Sequence, residues 1–396
     1  SARGEWRAPP ELAVDLLEWL PESRELNDKR LLDSRLVRAT LEQIPGLMVS
    51  APLDVWSRLL AALAFSDGEL LARARVDLQH HKVFRQAMDE RVAHLARLTF
   101  EIGPATSVTF QCAALGFDGL PMRELLRALF KTLEHEGEGS HEIDVGGVAR
   151  VCWAAAEVRA LKQSALRLTS RFAQRTLAEE GDDPSPDETV SWLRLAWASL
   201  ALGGDDSDVN SLTAIAAQVD GNELLRSLTP ADVRPTRQLA WHSQHRDSGA
   251  AGRWTETLLA HQPRWGHYDA SMGRQLSELL QQMRVPHVAS SPLALPGGIY
   301  RVAAWFPQPQ AVLDVDSRAD RLASGALCGA AELRRRQLHA VGLHVHTLDA
   351  AVLRTPSRTR RLRAVAEAVS ASCPEAGEWL ETAPGGAATA PEADAA

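Results

Sequence analysis

The chain has 396 residues, 45% of them hydrophobic, which is ample material for a buried core and enough length for two or three domains. A formal net charge of -8 excludes a protein that coats nucleic acid indiscriminately, because such binding rests on cationic neutralisation of phosphates, so any nucleic-acid contact must be local. Apolar runs such as Trp192 to Leu202 are interrupted by Arg194 and fall short of the roughly 20 residues a membrane span requires, and Cys112, Cys152, Cys328 and Cys373 lie too far apart to signal a zinc site or a disulfide framework, which implies a reducing compartment.

In chain order, residues 1–50 carry prolines, charges and short amphipathic runs, with Leu31, Leu32, Leu36 and Leu41 spaced for one helical face, and read as an irregular lead-in. The chain opens on Ser1, which fits a removed targeting peptide and a trimmed terminus alike. Residues 51–290 are expected to be an α-helical domain of Ala-, Leu- and Arg-rich segments punctuated by Gly, Pro and Asp. A short pattern recurs there at Leu59 to Phe65, Gln111 to Phe117, Cys152 to Val158 and Ala196 to Leu202, a spacing within the range of helical-hairpin repeats. Leu63, Leu115, Trp153 and Trp197 are its expected core residues, beside small residues that admit close helix approach. Turn signals follow three of the four motifs, at Ser66-Asp67-Gly68, Asp118-Gly119-Leu120-Pro121 and Gly203-Gly204-Asp205-Asp206. The stretches Glu134 to Ser140 and Glu179 to Glu188 read as inserted loops.

Near Gly297 the period changes. Ile299 to Phe306 and Ala311 to Val315 are strand-like and should pair as a hairpin, followed by a helix at Ala331 to Ala340, a stop at Gly342, a strand at Leu343 to Leu348 and a helix at Ser357 to Ser370. Residues 291–375 are therefore expected to form an α/β module, and residues 376–396, almost all Ala, Gly, Pro and acid, a tail ordered only by a partner.

The run AVLDVDSRADRL, the segment ELRRRQLHAVGLHVHTLD and the closing arginine-rich helix resemble the RAP domain, whose pattern is an acidic strand end, an Arg-rich helix and a Leu-x-x-x-Gly-x-x-Val step. Those features fall at Asp314 and Asp316, at Arg334 to Arg336, and at Leu338, Gly342 and Val345, and the helix at Arg274 to Met283 is similar to the segment that commonly precedes that domain. The family's Glu-x-Asp-Gly-Pro turn and following His are absent. The resemblance implies a restriction-endonuclease-like fold preceded by helical repeats of the octatricopeptide or FAST-kinase-like type. It also implies a non-catalytic organellar RNA-binding protein, mitochondrial and most readily a structural subunit of a mitochondrial ribosome, with rRNA and neighbouring ribonucleoprotein subunits as partners.

The module is locally basic, and Arg318, Arg321, Arg334, Arg335, Arg336, Arg358, Arg360, Arg361 and Arg363 are the expected RNA contacts, since guanidinium groups suit the sugar-phosphate backbone. On the helix near Ala331, Leu333, Leu338 and Val341 should share the inward face and leave Arg335 and Arg336 better exposed than Arg334. Two other readings stand beside this one. A metal-dependent RNA nuclease would use Asp314 and Asp316, with Glu332 as a further ligand, although no lysine follows Lys162; a protein-interaction scaffold would use the helical array alone. Trp241, Trp254, Trp265 and Trp305 could stack on bases if exposed, but read better as core anchors, and His80-His81, His344 and His346 lack companion ligands at metal spacing. No phosphate loop, dinucleotide fingerprint or nucleophile turn is present, so no cofactor, metal or small-molecule substrate is expected.

Overall fold

A computed structural model describes residues 9–22, 35–65, 77–78, 81–97, 102–139, 144–176, 184–246, 253–260, 270–289, 300, 302–307, 310–316 and 318–372. Among these the protein is mainly helical, with a small mixed sheet toward the C-terminal end. It divides into two units, one of Ser1–Trp265 with Arg321–Ala330, the other of Gly266–Asp320 with Ala331–Ala396.

The first unit contains α1 (Pro10–Glu22), α2 (Arg35–Ser50), α3 (Leu53–Phe65), α4 (Lys82–Arg97), α5 (Ile102–Ala114), α6 (Leu120–Gly139), α7 (Val145–Glu157), α8 (Lys162–Thr176), α9 (Pro186–Leu202), α10 (Asp206–Ala214), α11 (Gly221–Ser227), α12 (Pro230–His245) and α13 (Arg253–Ala260). The described parts of the segment 1–50 are thus helical rather than an irregular lead-in. Ala13, Val14 and Leu17 on α1, and Ile44, Leu47 and Met48 on α2, are buried at helical spacing, and this apolar stripe outweighs the flanking prolines and charges. Leu31 and Leu32 lie outside the described residues.

The four sequence motifs fall at the C-terminal ends of α3, α5, α7 and α9, and these helices pack on one another in that order. Their rings form a continuous series, Phe65 to Phe110 at 5.3 Å, Phe110 to Trp153 at 4.6 Å and Trp153 to Trp197 at 5.6 Å between centroids, within the range of favourable aromatic pairs. Alternate helices make a second series, with α2 on α4, α4 on α6, α6 on α8 and α8 on α10. The turns explain the spacing. Gly203 caps α9 at φ +72°, a conformation that favours glycine, and Asp205 then caps α10 by accepting from the Ser207 amide at 2.8 Å. The Ser66-Asp67-Gly68 break lies outside the described residues, as do residues 179–183 of the expected acidic loop, whose last residues, Pro186 to Glu188, form the first turn of α9. The other expected loop is helical, because α6 runs through Glu134 to Gly139 and glutamate is a good helix former.

Inside this unit a buried ion pair joins α9 to α12, Arg194 meeting Asp232 with both guanidinium arms at 2.8 and 2.7 Å while its cationic carbon lies 4.6 Å from the Phe110 ring centroid. The segment Arg321–Ala330 is held by the same unit: the Ser324 amide donates to Asp118 at 3.0 Å, the Ala330 amide to Glu157 at 3.1 Å, and Gln238 donates to the Ala330 carbonyl at 2.8 Å.

The second unit contains α14 (Ala270–Gln282), β1 (Val288–Ala289), β2 (Ala304–Phe306), β3 (Ala311–Asp316), most of α15 (Gly329–Ala340), β4 (His344–Asp349), α16 (Ala350–Leu353) and α17 (Arg358–Ser372). The sheet order is β1-β2-β3-β4, antiparallel except for the parallel β3–β4 pair. The expected hairpin is present, with Ala304 opposite Leu313 and Phe306 opposite Ala311. The unit begins earlier than residue 291, because Leu276, Leu279, Leu280 and Met283 of α14 belong to the core formed by Phe306, Leu313, Val365 and Val369.

Alternation along β3 assigns its side chains to two layers. Ala311, Leu313 and Val315 join the core with α14, α16 and α17, whereas Val312 joins Tyr300, Leu338 and Leu343 in a second cluster beneath α15. Asp314 and Asp316 share the register of Val312, so two carboxylates are delivered to the face covered by an arginine-rich helix. Gly342, at φ +82°, ends that helix with the Leu343 amide donating to the Leu338 carbonyl at 3.2 Å, which starts β4 beside β3.

Candidate nucleic-acid interface

The arginines named from the sequence separate into two groups. Arg334 and Arg335 of α15 are turned toward the sheet. Arg334 meets Asp314 at 2.6 Å, the two side chains only 13% and 7% exposed, and its guanidinium lies 5.7 Å from the Tyr300 ring centroid. Arg335 reaches Asp316 at 2.9 Å and donates to the Thr347 hydroxyl at 2.8 Å. Burial, the larger effect, pushes the Asp314 carboxyl above its usual range, and the Arg334 charge pulls it back down. Arg335 is the better exposed of the two, at 31% against 13% for Arg334, as expected, but it is not free for a ligand as expected, being engaged by Asp316 and Thr347. Helical spacing alone does not place a partner beside Arg335; the β3–β4 register brings Asp316 and Thr347 within its reach.

Asp314, Asp316, Asp320, Arg334, Arg335 and Thr347 line a cavity of about 10 Å³, room for little more than a water molecule. The strand carboxylates that a hydrolytic metal would need are each met by a guanidinium. Among the described residues no group of three or more His, Cys, Asp or Glu side chains is arranged to hold a metal ion.

Arg336 is half-buried, Arg321 donates to the Gly325 carbonyl at 2.8 Å, and Arg318 lies in a single 3₁₀ turn, Arg318–Asp320, with its side chain outside the described residues.

The second group lies on α17. Ser357 opens this helix by accepting from the Arg360 amide at 3.3 Å, and Arg358, Arg360, Arg361 and Arg363 follow within its first six residues, with no acidic residue in the first turn. Leu362, Val365 and Val369 turn inward, which leaves Arg358, Arg360 and Arg363 exposed and Arg361 half-buried. Arg358 donates to Gln282 of α14 at 2.9 Å, and Arg363 pairs with Glu367 at 3.1 Å. Arg358 and Arg361 also border a cavity of about 100 Å³ with Gln275, Glu278, Leu279 and Gln282.

Cations at a helix N-terminus oppose the helix dipole, whose positive end lies there. The start of α17 is thus electrostatically unfavourable by itself and would be relieved by an anion. Arg354, exposed in the linker between α16 and α17, adds to the same charge; it belongs to the arginine-rich stretch of the module without being among the expected RNA contacts. The chain matches no protein-family model and resembles no curated protein closely enough to count as a relative.

Proposed function

We propose that this protein binds RNA non-catalytically through the α17 end of its C-terminal unit, and that this unit is a RAP-like module preceded by a helical-hairpin repeat array. The carrying observation is the crowding of Arg358, Arg360, Arg361 and Arg363 onto an uncapped-by-acid helix N-terminus inside a protein of net charge -8. Support for the module comes from the acidic strand followed by an Arg-rich helix, with Asp314 and Asp316 engaged by Arg334 and Arg335. Support for the array comes from the four motif-bearing helices packed in sequence order. The choice of RNA, and of a mitochondrial ribosome as its setting, rests on the family resemblance.

In this reading α17 supplies sequence-independent backbone contacts, while Arg334 and Arg335 hold the fold that presents them. Replacing Arg358, Arg360 and Arg363 together with alanine should weaken binding of unrelated single-stranded RNAs about equally. It should also reduce the slope of log affinity against log salt by roughly 2, at about 0.7 per lost phosphate contact. Unchanged affinity and slope with the helix content preserved would remove α17 from the interface.

A further inference from the structure

We infer that the helical unit carries a second RNA-backbone surface on α6 and α8, built from Arg123, Arg127, Lys131, Lys162, Arg167 and Arg171. This rests on the reading that the protein binds RNA, but on residues in the other unit. Along α6 the three cations stand at i, i+4 and i+8, all exposed, while Met122, Leu125, Leu126, Leu129, Phe130 and Leu133 turn into the core. One face of one helix is therefore a continuous basic row, its members rising about 6 Å per step.

Helix α8 repeats the arrangement. Its sequence KQSALRLTSRFAQRT holds four basic residues and no acidic one. Ala165, Leu168, Phe172 and Ala173 are buried, Lys162 and Arg167 are exposed, and Arg171 is half-buried. The two helices are packed neighbours, and Arg167 crosses to Glu134 of α6 at 3.3 Å. Among the described residues Arg127, Lys131 and Lys162 have no carboxylate partner. Over both helices seven Lys and Arg stand against four Glu, a reversal of the sign of the whole chain.

The surroundings identify the class of partner. A protein interface needs a desolvated apolar centre, and the only large hydrophobic side chain exposed among the described residues of α6 and α8 is Leu120, at the first residue of α6. The remaining residues of these helices that are not buried include the polar Gln163, Ser164, Thr132 and Ser170, with Thr132 donating to the Ala128 carbonyl and Ser170 to Asp208. Phosphate recognition requires no apolar centre, only cations and small polar donors in an extended track.

The test uses the full chain and a fluorescently labelled single-stranded RNA of mixed sequence, titrated over about 50–200 mM salt. Variants are Arg123→Ala with Arg127→Ala and Lys131→Ala, and separately Arg358→Ala with Arg360→Ala and Arg363→Ala, each checked for unchanged helix content. The inference expects the α6 variant to lose tenfold or more in affinity and roughly 2 in salt slope, at about 0.7 per phosphate contact. If the α6 variant binds like the unaltered protein while the α17 variant weakens, the second surface is refuted and the function proposed above stands. If only the α6 variant weakens, α17 is refuted and this surface stands. Absence of binding by the unaltered protein refutes both.

Discussion

Asp314 stands in the sequence like one of a pair of metal-binding carboxylates, and in the fold it is buried against Arg334. Its place on β3, two residues from Asp316, gives the paired carboxylates expected of a metal site, yet burial beneath α15 makes a lone charge there costly and Arg334 meets it. Arg334→Ala, which strands that charge, should destabilise the C-terminal unit by about 3–5 kcal/mol in urea denaturation. Combining Arg334→Met with Asp314→Leu should recover most of the loss, because a buried pair replaced by apolar groups of similar size is often neutral. A double variant as unstable as the single one would mean that Asp314 does more than balance Arg334. In the helical unit His242, nearly buried on α12, faces Asp206 of α10 at 3.4 Å, with Arg246 and His245 nearby. Burial outweighs the pull of Asp206 and holds the imidazole below its ordinary value of 6.5. The unfolded chain therefore takes up the proton first, and stability present above pH 6.5 should fall as pH drops below it toward the folded value. His242→Gln should flatten the thermal-melting profile between about pH 7 and 5, a window set by histidine titration; a variant profile as steep as the original would assign the dependence to another group.

Elements were legible wherever one period dominates. The β2–β3 hairpin, the helix before Gly342, β4 and the closing helix follow from alternation, turn residues and a glycine stop; each is present, although the first hairpin strand, expected from Ile299, is limited to Ala304–Phe306 among the described residues. What local pattern could not give was the partner across a gap. Arg335 looked solvent-facing because a helical projection does not contain β3 or β4, and α14 was assigned to the preceding domain because an amphipathic helix does not declare which core it joins. Residues 1–50 and Glu134 to Gly139 were read as irregular from their prolines, charges and glycines, whereas a buried stripe in one case and helix continuation in the other prevail. The recurring motif did mark helices that pack in sequence, and its bulky positions Trp153 and Trp197 stand in ring contact. Trp153, 2% exposed between Phe110 and Trp197, should cost about 3–5 kcal/mol when changed to alanine. A loss below about 1 kcal/mol, measured by urea denaturation, would mean that the aromatic series does not hold these helices together.

For the molecule as a whole, an acidic chain that concentrates its arginines on particular helices fits the proposed RNA binding only as a local contact, not an indiscriminate one. Composition shows that charge imbalance, but not which arginines the fold consumes: Arg334 and Arg335 are committed to strand carboxylates, while Arg358 and Arg360 remain exposed. The most direct measurement of the central claim is ultraviolet crosslinking of the intact protein in the cells that make it, followed by identification of the crosslinked peptide and of the attached molecule. RNA joined to peptides spanning Arg354 to Arg363, and that RNA being ribosomal, is the result the account predicts. Crosslinks confined to protein partners, or RNA attached only away from α17, would contradict it.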